Sequence, residues 1–88
     1  MGYEIFYWRT VDDAEVDFVL YGKRGIKALE IKRTARINAS MFSGLKSFLK
    51  EYPMAKAYLV YGGNRRMREG NIEIYPVGEF LENLVTIL

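Results

Sequence analysis

Asp17, Glu30 and Lys32 are the residues whose types and spacing suit a chemical reaction. Gly22 and Gly25 bracket a short turn, and pairing outward from it sets Asp17 opposite Glu30 and Glu15 opposite Lys32 on neighbouring strands. Two carboxylates in opposed positions repel and weaken a sheet unless a proton or a cation lies between them. A divalent metal, Mg²⁺ or Mn²⁺, is the simplest compensation, because such ions take hard oxygen donors. Lys32 is two residues beyond Glu30 and so points to the same side of its strand. That set is hydrolytic. The cation lowers the pKa of a water and neutralises a phosphodiester, while the ammonium orients or helps deprotonate the nucleophile and stabilises the developing charge. The alternative is structural: Glu15, Asp17, Glu30 and Lys32 form a solvated charge cluster of the kind common on exposed hairpins.

The elements that must position these residues are legible as changes of period. Glu4 to Thr10 is β-branched and aromatic, with Asp12-Asp13 as its closing turn. Glu15 to Tyr21 alternates, Val16, Phe18 and Leu20 on one face against Glu15, Asp17, Val19 and Tyr21. Ile26 to Arg33 alternates again, Leu29 and Ile31 against Ala28, Glu30 and Lys32, so that a one-sided core would pair Val16 with Ile31 and Phe18 with Leu29. Met41, Phe42, Leu45, Phe48, Leu49 and Tyr52 then fall at helical spacing, with Ser40 or Asn38 as cap and Pro53 as terminator. Lys56 to Tyr61 reads as a buried strand, parallel to the third because a helix crosses between them. A basic loop from Gly62 to Asn71 leads to a strand at Ile72 to Tyr75. Pro76 opens a last helix with Phe80, Leu81, Leu84, Val85 and Leu88 as its apolar face. The expected order is βββαββα, an α/β mixed sheet.

Composition narrows the chemistry. Eighty-eight residues, half of them hydrophobic, make a single domain over 1–88. Neither histidine nor cysteine occurs, which removes histidine-based catalysis, thiolate nucleophiles, zinc-thiolate sites and disulfides. Thirteen Lys and Arg against eleven Asp and Glu give a net charge of +2, too mild to decide for or against a polyanionic partner. No apolar run reaches the length of a membrane span, and Met1-Gly2-Tyr3-Glu4 carries no basic stretch before an apolar one, so the expectation is a cytoplasmic protein without a membrane segment.

Glu15-Val16-Asp17-Phe18-Val19, followed after a glycine turn by Leu29-Glu30-Ile31-Lys32, resembles the D…ExK core of the PD-(D/E)XK nuclease-like superfamily. More narrowly, Tyr7-Trp8-Arg9-Thr10, Gly44-Leu45-Lys46, Tyr52-Pro53, and Pro76 followed by Glu79-Phe80-Leu81 resemble, in the same order, an uncharacterised domain at the C-terminus of archaeal and bacterial AAA+ type ATPases. The resemblance implies a restriction-endonuclease-like mixed sheet and a Mg²⁺- or Mn²⁺-dependent nuclease acting on DNA or RNA. In it Asp17 and Glu30 are the metal-binding acids and Lys32 the catalytic lysine. The superfamily core usually begins with a helix, and here Met1-Gly2-Tyr3 leads almost directly into the strand. No G-x-x-x-x-G-K-[ST] occurs, so the expectation is a stand-alone domain or a fragment of an ATPase-type protein. The alternative is a non-catalytic module of the same fold that binds nucleic acid, assists an ATPase or dimerises. A sheet face left uncovered by the missing helix invites a homodimer or association with an ATPase module.

Arg65, Arg66 and Arg68 in one loop and Lys23 and Arg24 in another are candidates for contacting successive phosphates, against the simpler reading of solvated turns. Tyr3, Phe6, Tyr7 and Trp8 are read as core or interface in preference to a base-stacking surface. The apolar end Leu84-Val85-Thr86-Ile87-Leu88 either docks on the sheet, the simpler reading, or forms part of a subunit contact.

Overall fold

The computed structural model describes residues 2–11 and 14–88, so the Asp12-Asp13 turn lies outside the described residues. β1 (Glu4–Arg9), β2 (Glu15–Gly22) and β3 (Gly25–Ile31) form an antiparallel meander built from β-branched and aromatic side chains. Gly25 closes the tight Lys23-Arg24 turn at φ +101°, a conformation that residues with a Cβ rarely adopt. A 3-10 turn at Ala39–Phe42 runs into α1 (Ser43–Glu51), which carries the chain over to β4 (Lys56–Tyr61), parallel to β3 as expected of a crossover helix. β5 (Met67–Glu69), β6 (Ile72–Pro76), α2 (Val77–Glu82) and α3 (Leu84–Ile87) complete the described fold. The six strands make one mixed sheet in the order β1-β2-β3-β4-β6-β5.

This mixed α/β fold departs from the expected element order in two places. The segment read as a basic loop contains β5, because the chain turns at Gly70 and Met67–Glu69 pairs back onto β6. The last helix breaks at Asn83, whose side-chain amide donates to the Glu79 carbonyl at 2.8 Å. The apolar face is shifted accordingly: Phe80, Leu84 and Ile87 pack on the sheet, whereas Leu81 and Val85 are exposed. Pro76 is the last residue of β6 and stands just before α2, where its missing N–H costs nothing. The Asn38 carboxamide accepts from the Ser40 hydroxyl at 2.6 Å, so neither side chain caps the helical turn.

The core is two-sided, not one-sided. α1 packs on one face against Val16, Val19, Ala28, Leu59 and Ile74, and α2 and α3 pack on the other against Leu29, Tyr58, Val60 and Tyr75. Val19 and Ala28, expected to face away from the core, are buried, while Phe18 and Ile31, expected inside, are exposed. The cause is a bulge. Phe6 pairs with Val19 and Trp8 with Val16, so Tyr7 alone stands against both Asp17 and Phe18. The additional residue reverses the alternation of β2 and turns Val16 into the α1 core instead of toward Ile31.

A candidate carboxylate and lysine site

The bulge at Asp17 and the end of the β2–β3 ladder coincide. β2 and β3 pair from Gly22–Gly25 up to Phe18–Leu29, in the register expected from the sequence, and beyond that point side chains take over from the backbone. The Asp17 amide donates to Glu30 Oε1 at 3.0 Å, and the Ile31 amide donates to Asp17 Oδ2 at 2.8 Å. Each carboxylate thus stands in for a backbone carbonyl of the facing strand. Lys32 follows on the same side as Glu30, its Nζ 3.5 Å from Glu30 Oε2. The structure therefore gathers Asp17, Glu30 and Lys32 at one fork in the sheet.

Glu30 is only 6% exposed, on the α1 face with Ala28. Burial first, and the Asp17 charge second, push its carboxyl pKa above the usual carboxylate value; the Asp17 amide and the Lys32 ammonium act in the opposite direction but do not cancel them. A cation placed between the acids would relieve the same strain. Two carboxylates, each with one oxygen bonded to an amide and the other not, Glu30's second oxygen facing the Lys32 ammonium, suit an ion such as Mg²⁺ that is held by one or two carboxylates and keeps several waters. Among the described residues no third acid joins them in a metal-binding group.

Glu15 was expected opposite Lys32, and it is turned away. It pairs with β1, where Arg9 Nη2 lies 3.0 Å from Glu15 Oε2 and the Tyr7 hydroxyl donates to the same oxygen. These two hydrogen bonds, Tyr7 first, hold the Glu15 pKa below the usual range. The bulge again explains the difference, since it re-aims the side chains at the start of β2.

Gly44 explains how α1 comes so close to this fork. A Cβ there would collide with the carbonyl oxygen of Glu15, so only glycine lets the helix lie against the β2 backbone beside Val16 and Asp17. Leu45 and Phe48 then enter the core, and Trp8 meets Phe48 edge-on at 5.2 Å.

The basic candidates are scattered. Lys23 and Arg24 occupy the turn at the opposite end of the β2–β3 hairpin from Asp17. Arg66 and Arg68 both reach Glu73 Oε1 at 3.2 Å, and Arg66 also stacks on Tyr75, 4.3 Å from the ring centroid. Arg68 is in β5 rather than a loop. Arg65 is held by its backbone, which exchanges hydrogen bonds with the Tyr61 hydroxyl. On the edge strand β1, Trp8 packs against the α1 core as expected, whereas Phe6 and Tyr7 are 49% and 59% exposed. With Trp8, Tyr21, Phe48 and Tyr52 they line an apolar groove of about 410 Å³.

No helix among the described residues is long and apolar enough to cross a membrane. Residues 1–80 match the family model of a domain of unknown function, DUF4143. Set against curated proteins and solved structures, the chain matches none.

Proposed function

The chain belongs to the DUF4143 family, and we propose that it is a Mg²⁺- or Mn²⁺-dependent phosphodiesterase of the PD-(D/E)XK type, with a restriction-endonuclease-like sheet, acting on DNA or RNA. The observation that carries this reading is the meeting of Asp17, Glu30 and Lys32 at the β2–β3 fork. A bound cation would supply Lewis acidity toward the phosphodiester and its attacking water. Asp17 and Glu30 would hold it. The amide bonds lock both carboxylates in place, so little reorganisation is needed when substrate binds. Lys32, half-buried beside Glu30, hydrogen-bonds the attacking water or a non-bridging phosphate oxygen and balances the charge that grows there.

Single- and double-stranded DNA and RNA incubated with the purified chain and Mn²⁺ provide the test. Cleavage by wild type that disappears in Asp17→Ala and Glu30→Ala supports the reading; no cleavage of any substrate, with no metal-dependent stabilisation, overturns it.

One observation favours a second reading. Both carboxylates replace missing ladder bonds, which is a structural service in itself, and among the described residues no third acid joins them. On that view the domain is a non-catalytic module, bound to nucleic acid, to an ATPase or to a second copy of itself through the aromatic β1 face. DUF4143 domains are often found with ATPases, which suits an accessory role. Light scattering of the purified chain separates self-association from the others. A cytoplasmic location remains part of this proposal.

A further inference from the structure

The sheet face opposite Glu30 carries a second concentration of charge. At the N-terminal ends of β3 and β4, a cavity of about 400 Å³ is lined by Arg24, Lys27, Lys56, Tyr58, Glu73 and Tyr75, together with residues of α3. Lys27 and Lys56 are direct partners in the parallel β3–β4 ladder, so two like charges stand side by side on one face. Among the described residues none of Arg24, Lys27 and Lys56 forms an ion pair with a carboxylate.

Lys27 is the informative member. It is 3% exposed, in phase with the core residue Leu29, and its ammonium donates to the Arg24 carbonyl at 3.1 Å. An ammonium has three donors, and a buried charge is costly unless an opposite charge meets it. Burial first, then Arg24 and Lys56, lower its pKa, as expected where cations converge without a counter-anion. Glu73 also lines the cavity, but its Oε1 is held by Arg66 and Arg68 on the β5 side and it forms no ion pair with Lys27, Lys56 or Arg24. Tyr58 adds a neutral donor, because burial and then the Glu73 charge push its hydroxyl up to about 12 and keep it protonated.

We infer that this cavity binds a compact, multiply charged phosphate group, either inorganic pyrophosphate or the terminal phosphate of a small organic molecule, between Lys27, Lys56 and Arg24. A group that reaches the buried Lys27 must enter the cavity, which suits a terminal phosphate. A phosphodiester within a polymer carries one charge and is flanked by chain on both sides. The site shares no residue with the Asp17 fork and lies on the other sheet face, so it stands or falls independently of the proposed hydrolysis.

Calorimetric titration of the chain with inorganic pyrophosphate and with a nucleoside monophosphate, in low salt without divalent metal, tests it. Saturable binding of one ligand per chain is expected, weakened about tenfold by Lys56→Ala or Arg24→Ala, the size of one charge-assisted hydrogen bond. Lys27→Met, which keeps the side-chain length, should abolish it, and Lys46→Ala on α1 should leave it unchanged. If Lys27→Met does not fold by circular dichroism, the exposed Lys56 and Arg24 variants decide. Tighter binding of the nucleotide assigns the phosphate to an organic molecule, and tighter binding of pyrophosphate assigns it to the inorganic ion. The proposal is overturned by no saturable binding of either ligand, by equal weakening in Lys46→Ala, or by Lys56-dependent binding of an oligonucleotide alone.

Discussion

Asp17 and Glu30 are interlocked through each other's strands: the Asp17 amide donates to the Glu30 carboxylate, and the amide that follows Glu30 donates back to the Asp17 carboxylate. Like charges are thereby held close by bonds that neither charge could make with the other. A pair of this kind remains where it is when the strands fork, and it retains oxygens for a third party. That is why the fork reads as a site and not only as the frayed end of a hairpin.

Metal should register as stability before it registers as activity. Mn²⁺ at a hundredfold excess over its Kd should stabilise the chain by about 2.7 kcal/mol, seen as a rise in Tm. Asp17→Asn keeps an oxygen for the Ile31 amide but removes the charge, so the variant should fold and lose the rise. A Tm that responds to Mn²⁺ equally in wild type and Asp17→Asn would place the metal elsewhere.

Lys32→Met should separate binding from chemistry. The metal-induced rise in Tm should persist while single-turnover cleavage slows by about 10²-fold or more, the usual worth of a positioned acid–base or electrostatic group. Ca²⁺ should bind without supporting cleavage, because its looser coordination acidifies water less. Undiminished cleavage in Lys32→Met would remove the lysine from the reaction.

Without metal, Glu30 sets a pH dependence. Its folded pKa is raised by burial and by Asp17, so its contribution favours folding most at pH below the ordinary carboxylate value and is lost as pH rises through the raised one. Glu30→Gln removes that titration and keeps an oxygen for the Asp17 amide. In chelator, urea melts should show the variant gaining on wild type as pH moves from below 4.5 toward neutrality. A constant difference across that range would contradict the assigned cause.

Gly44→Ala tests the helix contact that supports the fork. Its Cβ would meet the Glu15 carbonyl, which is backbone and yields little, so a loss of about 1–3 kcal/mol in denaturant unfolding is expected. The same substitution at Gly78, where a Cβ meets nothing within 4 Å, is the control and should be neutral or mildly stabilising. Equal effects at the two glycines would show that helix propensity and not the close approach is what matters.

Local pattern sufficed for much of this protein. The Gly22–Gly25 turn determined the β2–β3 register, because a hairpin loop of that length fixes the pairing outward from it. The same arithmetic brought Asp17 beside Glu30 and Lys32, and helical spacing from Met41 to Tyr52 implied the crossover that makes β4 parallel to β3. Only the tertiary structure decided what those elements pack against. The β2 bulge depends on β1 as a partner, so alternation within β2 could not reveal that Val16 turns inward, Phe18 outward and Glu15 toward Arg9. Helices on both faces bury Ala28 and Leu29 alike, so polarity along β3 no longer marks one inside and one outside. Lys27 left a trace in the sequence, a lysine in phase with Leu29. Its meaning required Lys56 and Arg24 to be brought beside it, which pairing between distant strands and the turn of the hairpin accomplish and neighbouring residues cannot.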